Sequence, residues 1–110
     1  MIRRKKMAVL DITSKNIDET LKTAKPVLID FWAPWCPSCV QLGPELEAAE
    51  KKLGDTAVVT RSNVDNARDL AAKFKFMSIP TLIVMKDGKE VDRHTGFMSK
   101  DELVGFVSKH

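Results

Sequence analysis

Apolar residues follow two rhythms along this chain. Two runs are almost continuously apolar, Val27-Leu28-Ile29-Asp30-Phe31 and Leu82-Ile83-Val84-Met85, and Thr56 to Val64 reads as another buried strand around Ala57-Val58-Val59. Short runs rich in branched side chains fit strands buried on both faces of a sheet covered by helices. Between them the apolar positions shift to helical spacing: Ile17, Leu21 and Ala24; then Val40, Leu42, Leu46, Ala49 and Leu53; then Leu70, Ala71 and Phe74; and finally Leu103, Phe106 and Val107. Stop and start signals bound these segments. Asn16 with Glu19 and Ser99 with Glu102 have capping-box spacing, Asp65 or Asn66 can cap the third helix, and Lys25-Pro26 and Gly54 end helices. Pro44 falls inside the second helical pattern, where it predicts a kink. Asp87-Gly88 predicts a tight hairpin into a weakly alternating strand from Lys89 to His94, and Gly96 breaks the chain after it. Met7 to Ile12 reads as a short edge strand. The resulting order is β-α-β-α-β-α-β-β-α. It predicts an α/β fold with a central mixed sheet of about five strands flanked by about four helices.

Composition narrows the class without changing that picture. A chain of 110 residues, 44% hydrophobic and 30% charged, has room for one core and one domain. The net charge of +3 is small, and much of the excess lies in Arg3-Arg4-Lys5-Lys6. Residues 1–6 are therefore expected to form a solvated basic tail ahead of a domain spanning 7–110. The tetrad resembles the start of a signal peptide, but Asp11 and Lys15 interrupt the apolar stretch that would have to follow. No stretch approaches the ~18 apolar residues of a membrane span. Neither a nucleic-acid nor a membrane partner is expected, and the predicted location is cytoplasmic. Both cysteines lie in one C-x-x-C, leaving none for a structural disulfide, which fits a reducing compartment.

That C-x-x-C is the candidate chemistry. It stands in Trp32-Ala33-Pro34-Trp35-Cys36-Pro37-Ser38-Cys39, where the first apolar run gives way to a helical pattern. A cysteine at the first turn of a helix lies among unpaired backbone N–H groups at the positive end of the dipole, which favours the nucleophilic thiolate. Cys36 is the expected nucleophile, and Cys39, one turn on, the expected resolving thiol. The other readings are a static disulfide or half a metal site. Zinc usually takes four ligands, and only His94 and His110 remain as nitrogen donors, so no metal is expected. Asp30 interrupts an otherwise apolar strand. If buried beside the site, its pKa would be raised by desolvation, and it could accept the proton that Cys39 must lose. If it lies at an exposed strand end, it has no role.

Taken together, these residues resemble the thioredoxin family. The match rests on Asp30-Phe31-Trp32-Ala33-Pro34-Trp35-Cys36-x-x-Cys39 with Pro44 after it, on Asn63-Val64-Asp65, on Ser78-Ile79-Pro80-Thr81, on Lys86-Asp87-Gly88 and on Gly96. It keeps order and spacing from about Asp11 to Val107. The resemblance implies a thioredoxin fold and a protein-disulfide reductase cycling by dithiol–disulfide exchange. It also implies that no cofactor is bound, that the Cys36–Cys39 disulfide forms reversibly, and that electrons come from a thioredoxin-reductase-type donor. Asp30 would be the proton acceptor and Pro80 a cis proline facing the disulfide, although trans is the default on chemistry alone. Trp35, Ile79, Gly96 and Phe97 would form a rim for protein disulfide substrates, with the Ile79 backbone pairing an extended segment. A monomer is expected.

Four residues at three sites depart from the family pattern. Pro37-Ser38 replaces the usual Gly-Pro, Arg61 stands where the family usually has Lys beside the buried Asp, and Lys75 stands where a glycine commonly ends the third helix. Pro37, Ser38 and Arg61 are candidate redox-tuning residues. A close approach of Arg61 would favour ionised Asp30, and Ser38 could donate through its hydroxyl and backbone N–H to the Cys36 sulfur. The alternatives are a glutaredoxin-like or more oxidising exchanger, and a binding subunit that uses the fold as a scaffold.

Overall fold

The computed structural model describes residues 9–110, so the basic tail and the start of the first predicted strand lie outside the described residues. The elements are β1 (Leu10–Asp11), α1 (Ile17–Thr20), β2 (Val27–Trp32), α2 (Pro37–Leu53), β3 (Val58–Asn63), α3 (Arg68–Phe74), β4 (Thr81–Lys86), β5 (Lys89–Thr95) and α4 (Lys100–Ser108). A short 3-10 turn, Gly54–Thr56, follows α2. The strands form one five-stranded sheet in the order β1-β3-β2-β4-β5. β1, β3 and β2 run parallel, whereas β4 and β5 are antiparallel to their neighbours. The sheet is mixed, with β2 at its centre.

Alternation along β2 and β4 divides the core between two helical layers. Val27, Ile29 and Phe31 of β2 and Ile83 and Met85 of β4 pack with Ile17 of α1 and with Ala67 and Leu70 beside and within α3. Phe31 also meets Phe74 and Phe76, at ring-centroid distances of 5.3 and 4.7 Å. On the other side Leu28, Leu82 and Val84 pack with Leu42, Leu46, Ala49 and Leu53 of α2 and with Leu103, Phe106 and Val107 of α4. Asp30 shares the parity of Leu28 and therefore points toward α2.

Local signals account for most element ends. Asp87 and Gly88 both adopt positive φ, 54° and 78°, as a two-residue turn with the twist of its flanking strands requires. Ser99 accepts from Glu102 N–H while the Glu102 side chain accepts from Ser99 N–H, which completes the capping box of α4. Lys75 ends α3 in the left-handed region at φ 56°, a conformation that glycine adopts at lower cost. Pro44 lies inside α2, which runs through it to Leu53.

Two expected caps do not form. Asn16 occupies the N-cap position of α1, but its side chain turns back, accepting from Thr13 N–H and donating to the Asp11 carbonyl, both at 2.8 Å. α1 stops at Thr20 instead of reaching Ala24, and turn bonds follow it, with Lys22 N–H donating to the Glu19 carbonyl and Thr23 N–H to the Leu21 carbonyl. At α3 the N-cap is Ala67, because Asp65 and Asn66 belong to the preceding turn, where Asp65 N–H donates to Asn63 Oδ1.

Candidate active site

The end of β2 and the start of α2 bring the two sulfurs together. Cys36 is the N-cap of α2, with extended backbone (φ −103°, ψ 109°), and Pro37 follows at a first-turn position where its missing N–H costs nothing. Cys36 and Cys39 are joined as a disulfide with Cα atoms 5.2 Å apart. The Cys36 sulfur itself caps the helix, accepting from Cys39 N–H at 3.3 Å. Ser38 Oγ lies 3.6 Å from the same sulfur, and the Ile79 carbonyl oxygen lies 3.9 Å from it. Of the two donors expected from Ser38, only the hydroxyl is there; the backbone N–H aimed at the sulfur belongs to Cys39. This setting favours a thiolate on Cys36 once the disulfide is reduced, since an N-terminal N–H and the helix dipole both stabilise the anion. Cys36 keeps 8% of its surface exposed and Cys39 2%, so Cys36 is the more accessible residue of the pair.

Asp30 lies beneath this pair, 2% exposed. It shares a cavity of about 170 Å³ with Trp32, Cys39, Val40, Gly43 and Arg61. Neither Asp30 Oδ1 nor Trp32 Nε1 has a hydrogen-bond partner among the described residues. Burial pushes the Asp30 carboxyl from its ordinary 3.8 up to about 7, and the Arg61 charge opposes that rise without cancelling it. The expectation that Arg61 would favour ionised Asp30 is thus outweighed by desolvation. Arg61 is next to Asp30 in register on β3, yet its Nε donates to Asp11 Oδ1 at 3.2 Å and its guanidinium carbon stands 5.2 Å from the centre of the Trp32 ring.

The rim comes from three other segments. The Ile79–Pro80 peptide is cis, and Ile79 packs against Ala33, Cys36 and Cys39. Gly96 is bound to this segment through its N–H, which donates to the Pro80 carbonyl at 2.8 Å, and it takes a φ of 111°. Phe97 follows, 45% exposed. Trp35 is 67% exposed but fixed, because its indole N–H donates to Asp65 Oδ2 at 3.0 Å. Sequence reasoning gave Asp65 no part in the site. A contact thirty positions along the chain leaves no local trace, and only the β2–β3 pairing brings the two turns together. His94 packs edge-on to Phe106 and His110 pairs with Asp92. Among the described residues no cluster of three His, Cys, Asp or Glu side chains could hold a metal ion, and no helix is long and apolar enough to cross a membrane.

Comparison with known proteins agrees with this geometry. The Thioredoxin family model matches residues 8–109. A thioredoxin of Bacillus subtilis (strain 168) is 44% identical over 104 residues, covering 94% of this chain and 99% of the relative. One from Staphylococcus haemolyticus (strain JCSC1435) is 41% identical with the same coverage. A crystal structure of chloroplastic thioredoxin z matches the fold with a TM-score of 0.85 at 23% identity, over 96% of both chains. The chain belongs to the thioredoxin family and is a thiol–disulfide oxidoreductase that reduces protein disulfides by dithiol–disulfide exchange through Cys36 and Cys39.

Proposed function

We propose that Cys36 is the attacking sulfur, Cys39 the resolving sulfur and Asp30 the acceptor of the Cys39 proton. The Cys36 thiolate attacks one sulfur of a protein disulfide; that S–S bond breaks, one substrate thiol leaves, and a mixed disulfide remains. Asp30 then takes the Cys39 proton across their shared cavity, which is large enough for a relaying water. The Cys39 thiolate attacks Cys36, releasing the second substrate thiol and restoring the Cys36–Cys39 disulfide. The single observation that carries this reading is the Cys36 sulfur at the helix N-cap above a buried carboxyl that titrates at about 7. A proton acceptor works best with a pKa near the operating pH.

Trp35, Ile79, Gly96 and Phe97 form the substrate rim. Ile79, with Pro80 after it, offers its backbone to an extended segment of the partner, as in strand addition. A thioredoxin-reductase-type dithiol returns the electrons, and the protein works as a cytoplasmic monomer. A second reading rests on the Ser38 hydroxyl 3.6 Å from the Cys36 sulfur. A donor there stabilises the thiolate and makes the couple more oxidising than a Gly-Pro site, the direction of a glutaredoxin-like exchanger.

One set of assays tests both. Insulin reduction is lost in Cys36→Ser, whereas Cys39→Ser accumulates the mixed disulfide and stalls. Stalling in Cys36→Ser instead would reverse the roles. In equilibrium with glutathione, Ser38→Ala shifts toward the disulfide; an unchanged equilibrium removes the second reading.

A further inference from the structure

We infer that Asp11 is a positioning residue for the exchange reaction, holding the Arg61 guanidinium toward the exposed β1 edge of the sheet and off Asp30. The inference rests on Asp30 being the proton acceptor proposed above. It begins with the register: Asp11, Arg61 and Asp30 are direct partners across β1, β3 and β2, so the three side chains share one face of the sheet. One cation therefore stands between two carboxylates. Adjacent strands are only about 4.8 Å apart, so Arg61 is within reach of both.

The environments of the two carboxylates are opposite. The Asp11 side chain is 78% exposed and that of Arg61 33%, whereas Asp30 is 2% exposed. Arg61 binds the exposed partner, with Nε 3.2 Å from Asp11 Oδ1, and lies over the Trp32 ring. Five N–H donors are available on a guanidinium, yet Asp30 Oδ1 receives none of them. The Trp32 face and the Asp11 carboxylate fix the plane and the direction of the guanidinium together. Asp11 is itself held, because Asn16 Nδ2 donates to its carbonyl at 2.8 Å. The side chain that fails to cap α1 thus ties down the residue that restrains Arg61.

The chemical consequence follows from charge. Arg61 turned onto Asp30 would favour its ionised form and weaken it as a base for the Cys39 thiol. Other groups face this region. From α2 come Cys39 and, farther along, Glu47, Glu50 and Lys51, which line a hollow with Arg61. From β4, Leu82 sits opposite Asp30 and carries no charge. Glu47 and Glu50 are alternative outward partners for Arg61, so a test must show where the cation goes when Asp11 is removed.

The test is a direct titration of the Asp30 carboxyl by carbon NMR in the oxidised protein. Asp11→Asn is expected to lower the midpoint by about one pH unit, the smaller end of the effect of a nearby cation. Asp11→Glu is expected to restore it. Arg61→Gln raises the midpoint, and adding Asp11→Asn to Arg61→Gln produces no further fall. An unchanged midpoint in Asp11→Asn overturns the inference, since Glu47 or Glu50 then suffices to hold Arg61. An equal fall with Arg61 absent also overturns it, because loss of the Asp11 charge alone would be responsible. These midpoints do not depend on activity. If Asp30→Asn leaves the resolving step unimpaired, the functional reading fails separately.

Discussion

β2 sends one set of residues to each face of the sheet, and only one of them carries a charge. Toward α1 and α3, β2 presents Val27, Ile29 and Phe31, an unbroken apolar series. Toward α2 and α4 it presents Leu28 and then Asp30, among Leu82, Val84 and the inner side of α2. Burial strips a carboxylate of most of its hydration, so β2 presents a destabilising group toward the second face and none toward the first. The position of that group teaches more than its cost. Asp30 lies at the end of the strand next to the sulfurs, in a cavity that Cys39 also lines. One face holds the fold; the other gives up some stability for a proton site.

Substitutions can sharpen or break that contrast. The largest effect is expected from Phe31→Ala on the apolar face, which should cost about 3–5 kcal/mol by urea denaturation. The loss should be the same near about pH 5 and about pH 8; a pH-dependent loss would mean that the two faces are coupled. Asp30→Asn should act with the opposite sign. The folded carboxyl titrates at about 7 and the ordinary one at 3.8, so the native form binds the proton more tightly over that interval. Its contribution to stability is full below about pH 4 and is lost as pH rises through about 7. Asp30→Asn should therefore stabilise the protein by up to about 4 kcal/mol above pH 7, a gain that disappears in acid. A gain independent of pH would show that charge burial is not the cause. The smallest effect is expected at the end of α3, on the apolar face. Lys75→Gly relieves a side chain at φ 56° and should raise stability by about 1 kcal/mol, with exchange activity unchanged. A loss of stability there would mean that the lysine side chain contributes more than its backbone conformation costs.

How far the sequence was readable depended on whether the deciding contact was local. The α4 capping box, the Asp87-Gly88 turn and the three buried strands are set by neighbouring residues, and each formed where its pattern lay. Asp30 could be singled out because a lone carboxyl stands out in an apolar run. The misread residues had competing long-range or turn partners: Asn16 preferred the Asp11 carbonyl and Thr13 N–H to a helix end, and Asp65 was taken up in a turn and by Trp35. Arg61 was recognisable as a neighbour of Asp30 only through the family resemblance. Its orientation required the parallel register with Asp11, which no pattern within either segment encodes.

The outer edge of β5 has a consequence of a different kind. The strand carries Lys89, Glu90, Asp92 and Arg93, and its register with β4 slips between Val84 and Met85, so that Val91 has no direct partner. Arg93 also donates to both Glu90 carboxylate oxygens and to the Phe74 carbonyl, which secures the strand from its side. Charges and an irregular register blunt an edge that would otherwise template pairing with any extended chain. A protein that reduces the disulfides of other proteins meets many chains, and β5 offers them no regular edge on which to add a strand.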